Sequence, residues 1–324
     1  MMHDNPSRSA QIAPAPPVLS IVITVVSGAK HLADCLSALI SQEEFDLDKA
    51  EIIVPYNLHD KAIQQLESVF PDVIFHPLEM SVEAPTGLCH EHFDELRATG
   101  LQLACGSYVA ILEDHERPAT DWCKNLVAAH QLPHAAIGGA VENAIDKPIN
   151  WATYFFDFGR YQNPVSPGPT TFLTDVNVAY KRHALDKTRP VWEHGFHEPA
   201  VHGALLSQGE TLWISPEIIV YQNRTGLTLA QVIRERLIWG RYFSGNRVAD
   251  KGLPFRLFYC IFSLLIPVII LAKMFLNVFK KKRLRGKFLQ VLPYTLLLTI
   301  AWSWGEFTGY LTGKPSAYKP AVHK

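Results

Sequence analysis

Short β-branched runs alternate with segments of helical spacing along the first third of this chain, and that alternation restricts the fold more than anything else in it. Residues 19–26 (LSIVITVV) are strand-like, 31–40 carry apolar residues at helical spacing, and 50–56 (AEIIVPY) are strand-like again. An amphipathic helix over 61–70, a strand over 72–78, a helix over 92–105 and a strand over 107–112 follow. Strands that are apolar on both faces and separated by helices build a parallel sheet covered by helices. Ligands of such sheets sit beyond the carboxyl ends of the strands. There the run YVAIL breaks into Glu113, Asp114, His115, Glu116 and Arg117.

With 324 residues, 48% of them hydrophobic, the chain can bury a full core. A formal net charge of -1 excludes nucleic-acid binding by bulk electrostatics, so no nucleic-acid partner is expected. The five cysteines are scattered, with no C-x-x-C pair, which fits a reducing compartment. Residues 1–18, rich in Pro, Ala and Ser, lack the apolar core of a secretory signal and read as a disordered lead-in.

The carboxyl end differs. Residues 255–279 and 291–311 are each long enough for a hydrocarbon layer that needs about 20 apolar residues, and read as a membrane-embedded pair. The alternative is a pair of buried core helices. Ahead of them, 229–247 places Arg234 and Arg241 seven apart on one helical face among apolar residues, as in an interfacial helix whose cations meet lipid phosphate. The basic linker KKKRLRGK (280–287) belongs on the cytoplasmic side, and Pro267 lets the first segment enter and return or lie in the interface. The expected organisation is a lead-in (1–18), an α/β domain (19–225), an amphipathic interfacial helix (226–252) and the hydrophobic pair with a short tail (253–324), the core pattern ending before Leu253.

RATGLQLACGSYVAILEDHERP resembles a segment of family-2 glycosyltransferases, R-N-x-G-x-x-x-A-x-G-x-Y followed by an apolar strand and a D-x-D motif. Arg97, Gly100, Ala104, Gly106 and Tyr108 fall in register, with Ala98 in place of Asn. IVITVVSGAKHLADCLSAL is similar to the family's first strand and helix, with Thr24 where Pro is common and Ser27 where Asn is common. The resemblance covers 19–223. It implies a GT-A fold, a nucleotide-sugar donor held by Thr24, Ser27, Arg97, Glu113 and Asp114, and a divalent cation, Mn²⁺ or Mg²⁺, at an altered D-x-D formed by Glu113, Asp114 and His115.

The residues give their own reason for that cation. A sugar nucleotide's leaving diphosphate needs its charge neutralised, and a metal held by carboxylate or imidazole does this. Residues two apart on an extended chain share a face, so Glu113 and His115 point together with Asp114 turned away. The other reading is a solvated loop capping a strand. After the second strand the family's nucleoside-binding acids are missing; Tyr56 stacking on a base with Asn57 hydrogen-bonding it stands beside an ordinary Pro-Tyr-Asn turn.

Downstream, TTFLTDVNVAYKRHAL resembles the family's acceptor-side stretch through Asn177, Ala179, Tyr180, Lys181 and Arg182, which implies an acceptor side built from Asn177, Trp192 and His197. GFHEP is similar to its G-F-x-E-D, with Pro199 for Asp, and makes Glu198 the catalytic base that takes a proton from an acceptor hydroxyl. The bland reading is a helix-start acid before a proline at the first helical position. A zinc site from His194, His197 and His202 fails on spacing, His197 and His202 being about 140° apart round a helix. Gln231 and Arg234 are followed by Glu235 and not Trp, so Q-x-x-R-W is incomplete and processivity unsupported. The expectation is an inverting glycosyltransferase at the cytoplasmic face of a prokaryotic cytoplasmic membrane, acting on a lipid-linked or glycan hydroxyl and in contact with membrane lipids. Transfer to a polyprenyl phosphate and a non-catalytic membrane scaffold are the alternatives.

Overall fold

The computed structural model describes residues 16–83, 89–315 and 319–320. Most of the expected lead-in, residues 1–15, therefore lies outside the described residues. The body is a mixed α/β structure around a nine-stranded sheet. Its strands are β1 (Leu19–Thr24), β2 (Ala50–Asn57), β3 (Ile74–Leu78), β4 (Tyr108–Glu113), β5 (Glu116–Pro118), β6 (Ala136–Asn143), β7 (Gly168–Thr170), β8 (Val178–Lys181) and β9 (Leu212–Gln222). They run in the order β3-β2-β1-β4-β8-β6-β9-β5, with β7 paired to β9. Four neighbours, β3 to β4, are parallel, and β8 enters antiparallel between β4 and β6.

The period of two explains the layering. Leu19, Ile21 and Ile23 of β1 share one core with Leu32, Leu36 and Leu39 of helix α1 (Ala29–Ile40). Val22 faces the other core with Ala98 and Leu101 of α2 (His90–Leu103). Gly100 sets how closely α2 lies on the sheet, since a Cβ there would collide with the Val22 side chain. Residues 61–70 form only a short helical turn, Lys61–Gln64, capped by Asp60 and continued as the 3-10 turn Gln65–Ser68. The further helices of eight residues or more are α3 (Trp122–Ala129), α4 (Pro148–Asp157), α5 (Glu198–Ser207), α6 (Leu229–Arg247), α7 (Leu253–Ser263), α8 (Ile266–Lys281) and α9 (Arg285–Thr312).

The carboxyl-terminal helices belong to the same body as the sheet. Phe288, Val291 and Leu298 of α9 are buried in the core that holds β1 and α1, so the core continues well past Leu253. Small residues let α9 lie along α6: a Cβ on Gly240 would stand 2.5 Å from the Trp302 carbonyl, and one on Gly305 would strike the Leu237 carbonyl. The α6 helix carries two ion pairs into the protein. Glu235 takes Arg224 at 2.6 and 3.0 Å, and Arg236 reaches Asp157 at 2.7 and 2.8 Å.

No single helix among the described residues is long and apolar enough to cross a membrane. The second hydrophobic segment forms α9, which lays one face on α6 and α4. By length and composition α7 and α8 pass only together, and they are bent by 55°. The break falls at Leu264 and Leu265, just ahead of Pro267, whose missing N–H and fixed φ suit the start of a new helix. Their outer faces are apolar: Phe258, Ile261, Val268 and Leu276 are each more than 60% exposed.

Candidate active site

The carboxyl ends of β1 and β4 lie side by side, Thr24 opposite Glu113. Beyond them opens a cavity of about 380 Å³ whose polar lining includes Asp94, Glu113, His115, Asp175, His197 and Glu198. Trp239, Tyr242 and Phe243 of α6 and Trp302 of α9 close its far wall, so the carboxyl-terminal helices complete the site. Beside it, sharing Val26 and Arg224, is a polar pocket of about 260 Å³ lined also by Ser27, His31, Gln231 and Arg234.

Arg97 organises the acids. It projects from α2, 2% exposed, and its guanidinium lies 2.7 Å from Glu113 Oε1, 2.6 Å from Asp175 Oδ2 and 3.7 Å from Asp94. A buried cation requires such partners, and the ion pairs hold its pKa up against burial. Asp94 in turn accepts the Tyr242 hydroxyl at 2.7 Å, and burial pushes its pKa up to about 7.

Glu198 opens α5, half-buried, with Pro199 behind it in the first turn. Burial and then the nearby Asp175 charge push its pKa up to about 8, opposed by Arg97. A carboxyl of that proton affinity in a cleft suits proton transfer near neutrality. Burial and Asp175 also raise Glu113, while burial lowers His197 below the usual imidazole value.

Glu113 and His115 come together, Oε2 3.4 Å from Nε2, and Asp114 Oδ1 also lies 3.3 Å from His115 Nδ1. The Asp114 carboxylate, fully buried, accepts the amides of Ser27 at 2.7 and 3.0 Å and of Gly28 at 2.7 Å. It thereby fixes the β1–α1 turn, where Gly28 holds a φ of 98°. The Ser27 hydroxyl lies 3.1 Å from His115 Nδ1. Glu116 follows with both oxygens buried and no hydrogen-bond partner among the described residues, and burial raises its pKa well above the carboxylate range.

This arrangement does not fit the expected divalent cation. Among the described residues no three of His, Cys, Asp and Glu are placed to hold a metal ion. Asp114 spends its oxygens on backbone amides, and Glu113 gives Oε1 to Arg97 and holds Oε2 beside His115.

Three expected contacts lie elsewhere. Tyr56 is 1% exposed, packed edge-on to Phe75 with its hydroxyl donating to Glu67 at 2.7 Å, and faces the core instead of a base. Burial, with Glu67 behind it, pushes its pKa up to about 12. Asn177 is fully buried: it accepts from Trp122 Nε1 at 3.0 Å and donates to the carbonyls of Ala140 and Ile218, tying β6 and β9 beside β8 and leaving nothing for an acceptor. Trp192 is a core residue donating to the Leu185 carbonyl at 2.9 Å. Asn57 accepts the His59 amide at 3.0 Å and lines a nearly closed cleft with Asp60 and Met80. Thr24 is buried at the end of β1, its hydroxyl without a hydrogen-bond partner among the described residues. Of the three histidines weighed for zinc, His194 is exposed and His202 pairs with the Tyr180 hydroxyl at 2.8 Å.

Sequence reasoning did not single out Asp94, Asp175, Arg224 or Tyr242. Asp175 stands two residues before Asn177 inside a stretch already marked by resemblance, and that was its only signal.

No family model matches the chain, and no curated protein matches it either. Among solved structures it is similar to that of the mannosyltransferase PcManGT from Pyrobaculum calidifontis in complex with GDP-Man and Mn²⁺, at 16% identity over 95% of this chain and 89% of that one, with a TM-score of 0.47.

Proposed function

We propose that this chain is an inverting glycosyltransferase of the family-2, GT-A kind. It moves a sugar from a nucleotide-diphosphate donor to a hydroxyl of a lipid-linked or glycan acceptor at the cytoplasmic face of a membrane. The observation that carries this is Glu198, a carboxyl with a pKa of about 8 at a helix start, facing Asp175 and Glu113 across a cavity beyond the ends of parallel strands.

The acceptor hydroxyl attacks the anomeric carbon from the face opposite the diphosphate. Glu198 takes the hydroxyl proton as the new C–O bond forms, and the bond to the diphosphate breaks with its electron pair leaving on phosphate oxygen. The leaving charge meets the polar pocket beside the cavity. Arg234 is exposed there with no ion-pair partner among the described residues, whereas Arg224 is already matched by Glu235. The aromatic wall of Trp239, Tyr242, Phe243 and Trp302 keeps water from competing with the acceptor. No step is routed through a divalent cation, because no three such ligands converge among the described residues.

The apolar outer faces of α7 and α8 lie in the membrane interface, with Lys280, Lys282 and Arg285 at the level of lipid phosphates. Since α9 is held along α6 and α4, the chain rests on one leaflet and does not cross, which keeps the basic linker and the catalytic body on the same side.

The test is nucleotide release by the purified full chain with a panel of sugar nucleotides and membrane-derived acceptors. Acceptor-dependent turnover of one donor supports the transferase. Absence of turnover and of nucleotide binding across the panel returns the fold to a non-catalytic scaffold.

A further inference from the structure

Helix α9 is apolar along most of its length, yet it buries Glu306 to 5% exposure. A carboxyl in such surroundings is costly unless it is hydrogen-bonded, and Glu306 makes no ion pair among the described residues. Its two oxygens are spent inside its own helix. Oε1 accepts the indole N–H of Trp302, four residues before it, at 2.5 Å, and Oε2 accepts the hydroxyl of Tyr310, four residues after it, at 2.9 Å. Neither bond crosses to α6, so neither adds to the α6–α9 seam that the glycines make. What Glu306 fixes is the direction of two rings.

The two rings end in different places. Tyr310 is 1% exposed and packs 5.3 Å from the Tyr259 ring of α7. Trp302 is half-buried and lines the cavity that also holds Glu113, Asp175 and Glu198. Its backbone is pinned on α6, where a Cβ on Gly240 would strike the Trp302 carbonyl. Its ring is flanked by Phe156 of α4 and Phe243 of α6, with centres 5.7 and 6.1 Å away at tilts of 53° and 46°. With its tip, backbone and flanks all held, the indole has one setting in the cavity wall.

We infer that Trp302 is the platform on which a pyranose ring of the substrate stacks, and that Glu306 is the positioning residue that sets it. The C–H bonds on one face of a pyranose carry slight positive charge and meet the negative face of an indole, while its hydroxyls donate to acids such as Asp175 and Glu198 in the same cavity. A ring surface fixed in advance loses little freedom when the sugar arrives, and the bond at Nε1 supplies that fixing. The inference rests on the transferase proposed above and names what holds its sugar. Donor and acceptor can each carry such a ring, and the choice of probes separates them.

The probes are UDP-glucose against UDP, GDP-mannose against GDP, and methyl glucoside and methyl mannoside as free pyranosides, each titrated into the full chain in detergent. Trp302→Leu is expected to weaken the ring-bearing ligand by at least about fivefold and to leave UDP and GDP unchanged. A loss confined to the sugar nucleotides assigns the platform to the donor ring; a loss confined to the free pyranosides assigns it to the acceptor. Glu306→Leu brings a similar loss, whereas Glu306→Gln keeps an acceptor for the indole N–H and most of the affinity. Tyr310→Phe removes the other bond of Glu306, leaves the indole clamped and keeps the parent's affinity. In the Trp302→Leu background Glu306→Leu costs nothing further, since it acts through the ring that is gone. The inference is overturned by a parent that binds no ring-bearing probe, by a Trp302→Leu chain that binds like the parent, or by a Glu306→Leu loss that Tyr310→Phe reproduces or that persists without Trp302. A parent that binds pyranosides through Trp302 but no nucleotide supports the platform and overturns the transferase instead.

Discussion

The Asp114 carboxylate receives the Ser27 backbone amide through both oxygens, at 2.7 and 3.0 Å, and one of them also takes the Gly28 amide. The acid at the centre of EDH therefore builds the turn between β1 and α1. Asp114→Ala orphans two half-buried donors, at about 1–2 kcal/mol each. Denaturant unfolding should show a loss of about 3 kcal/mol, with Asp114→Asn intermediate; unchanged stability would show that the carboxylate is free for another role.

Tyr56→Phe removes the hydroxyl that donates to Glu67 and leaves the ring in the core. The expected result is a stability loss of about 1–2 kcal/mol with nucleotide affinity altered less than about twofold. A large fall in affinity without loss of stability would return Tyr56 to the donor site.

Asp175 is, after burial, the largest influence raising the Glu198 pKa. Removing its negative charge stabilises ionised Glu198, so Asp175→Asn lowers that pKa. A base must be deprotonated to act, so activity in the parent rises as pH passes about 8, and in Asp175→Asn the rise moves to lower pH. A pH–kcat profile checks the direction; a shift upward, or none, contradicts the electrostatic link.

Ile261 and Val268 are 73% and 68% exposed on the bent helical pair, so neither contributes to the interior. Ile261→Glu with Val268→Glu should leave unfolding unchanged and cut co-flotation with anionic vesicles at least about tenfold, because carboxylates resist entering hydrocarbon. Unaltered flotation would place the membrane surface elsewhere.

What the sequence shows and what it hides follow from the same physics. The strands β1, β2 and β4 were legible because alternate residues must serve two cores. Residue type gives no direction: Tyr56 and Trp192 bury their rings and spend their polar tips on the Glu67 carboxylate and the Leu185 carbonyl, and Asn177 spends its amide on the distant carbonyls of Ala140 and Ile218. The α6–α9 seam was written in Gly240 of the charged helix α6 and in Gly305 and Gly309 of the apolar helix α9, and in α9 alone such small residues are equally compatible with packing inside lipid. Asp94 and Arg224 carry no signal in the sequence: Asp94 is buried with Arg97 on its own helix because α2 packs on the sheet, and Arg224 is matched by Glu235 of α6.

Glu198→Gln tests the central claim most directly, because glutamine keeps the shape of the side chain and removes its basicity. With a hydroxyl acceptor identified by product analysis, turnover should fall by at least about two orders of magnitude while sugar-nucleotide binding is nearly intact, since a positioned base contributes about 10²- to 10⁴-fold and acts only on the attacking group. Full turnover in Glu198→Gln with that same acceptor would contradict the account.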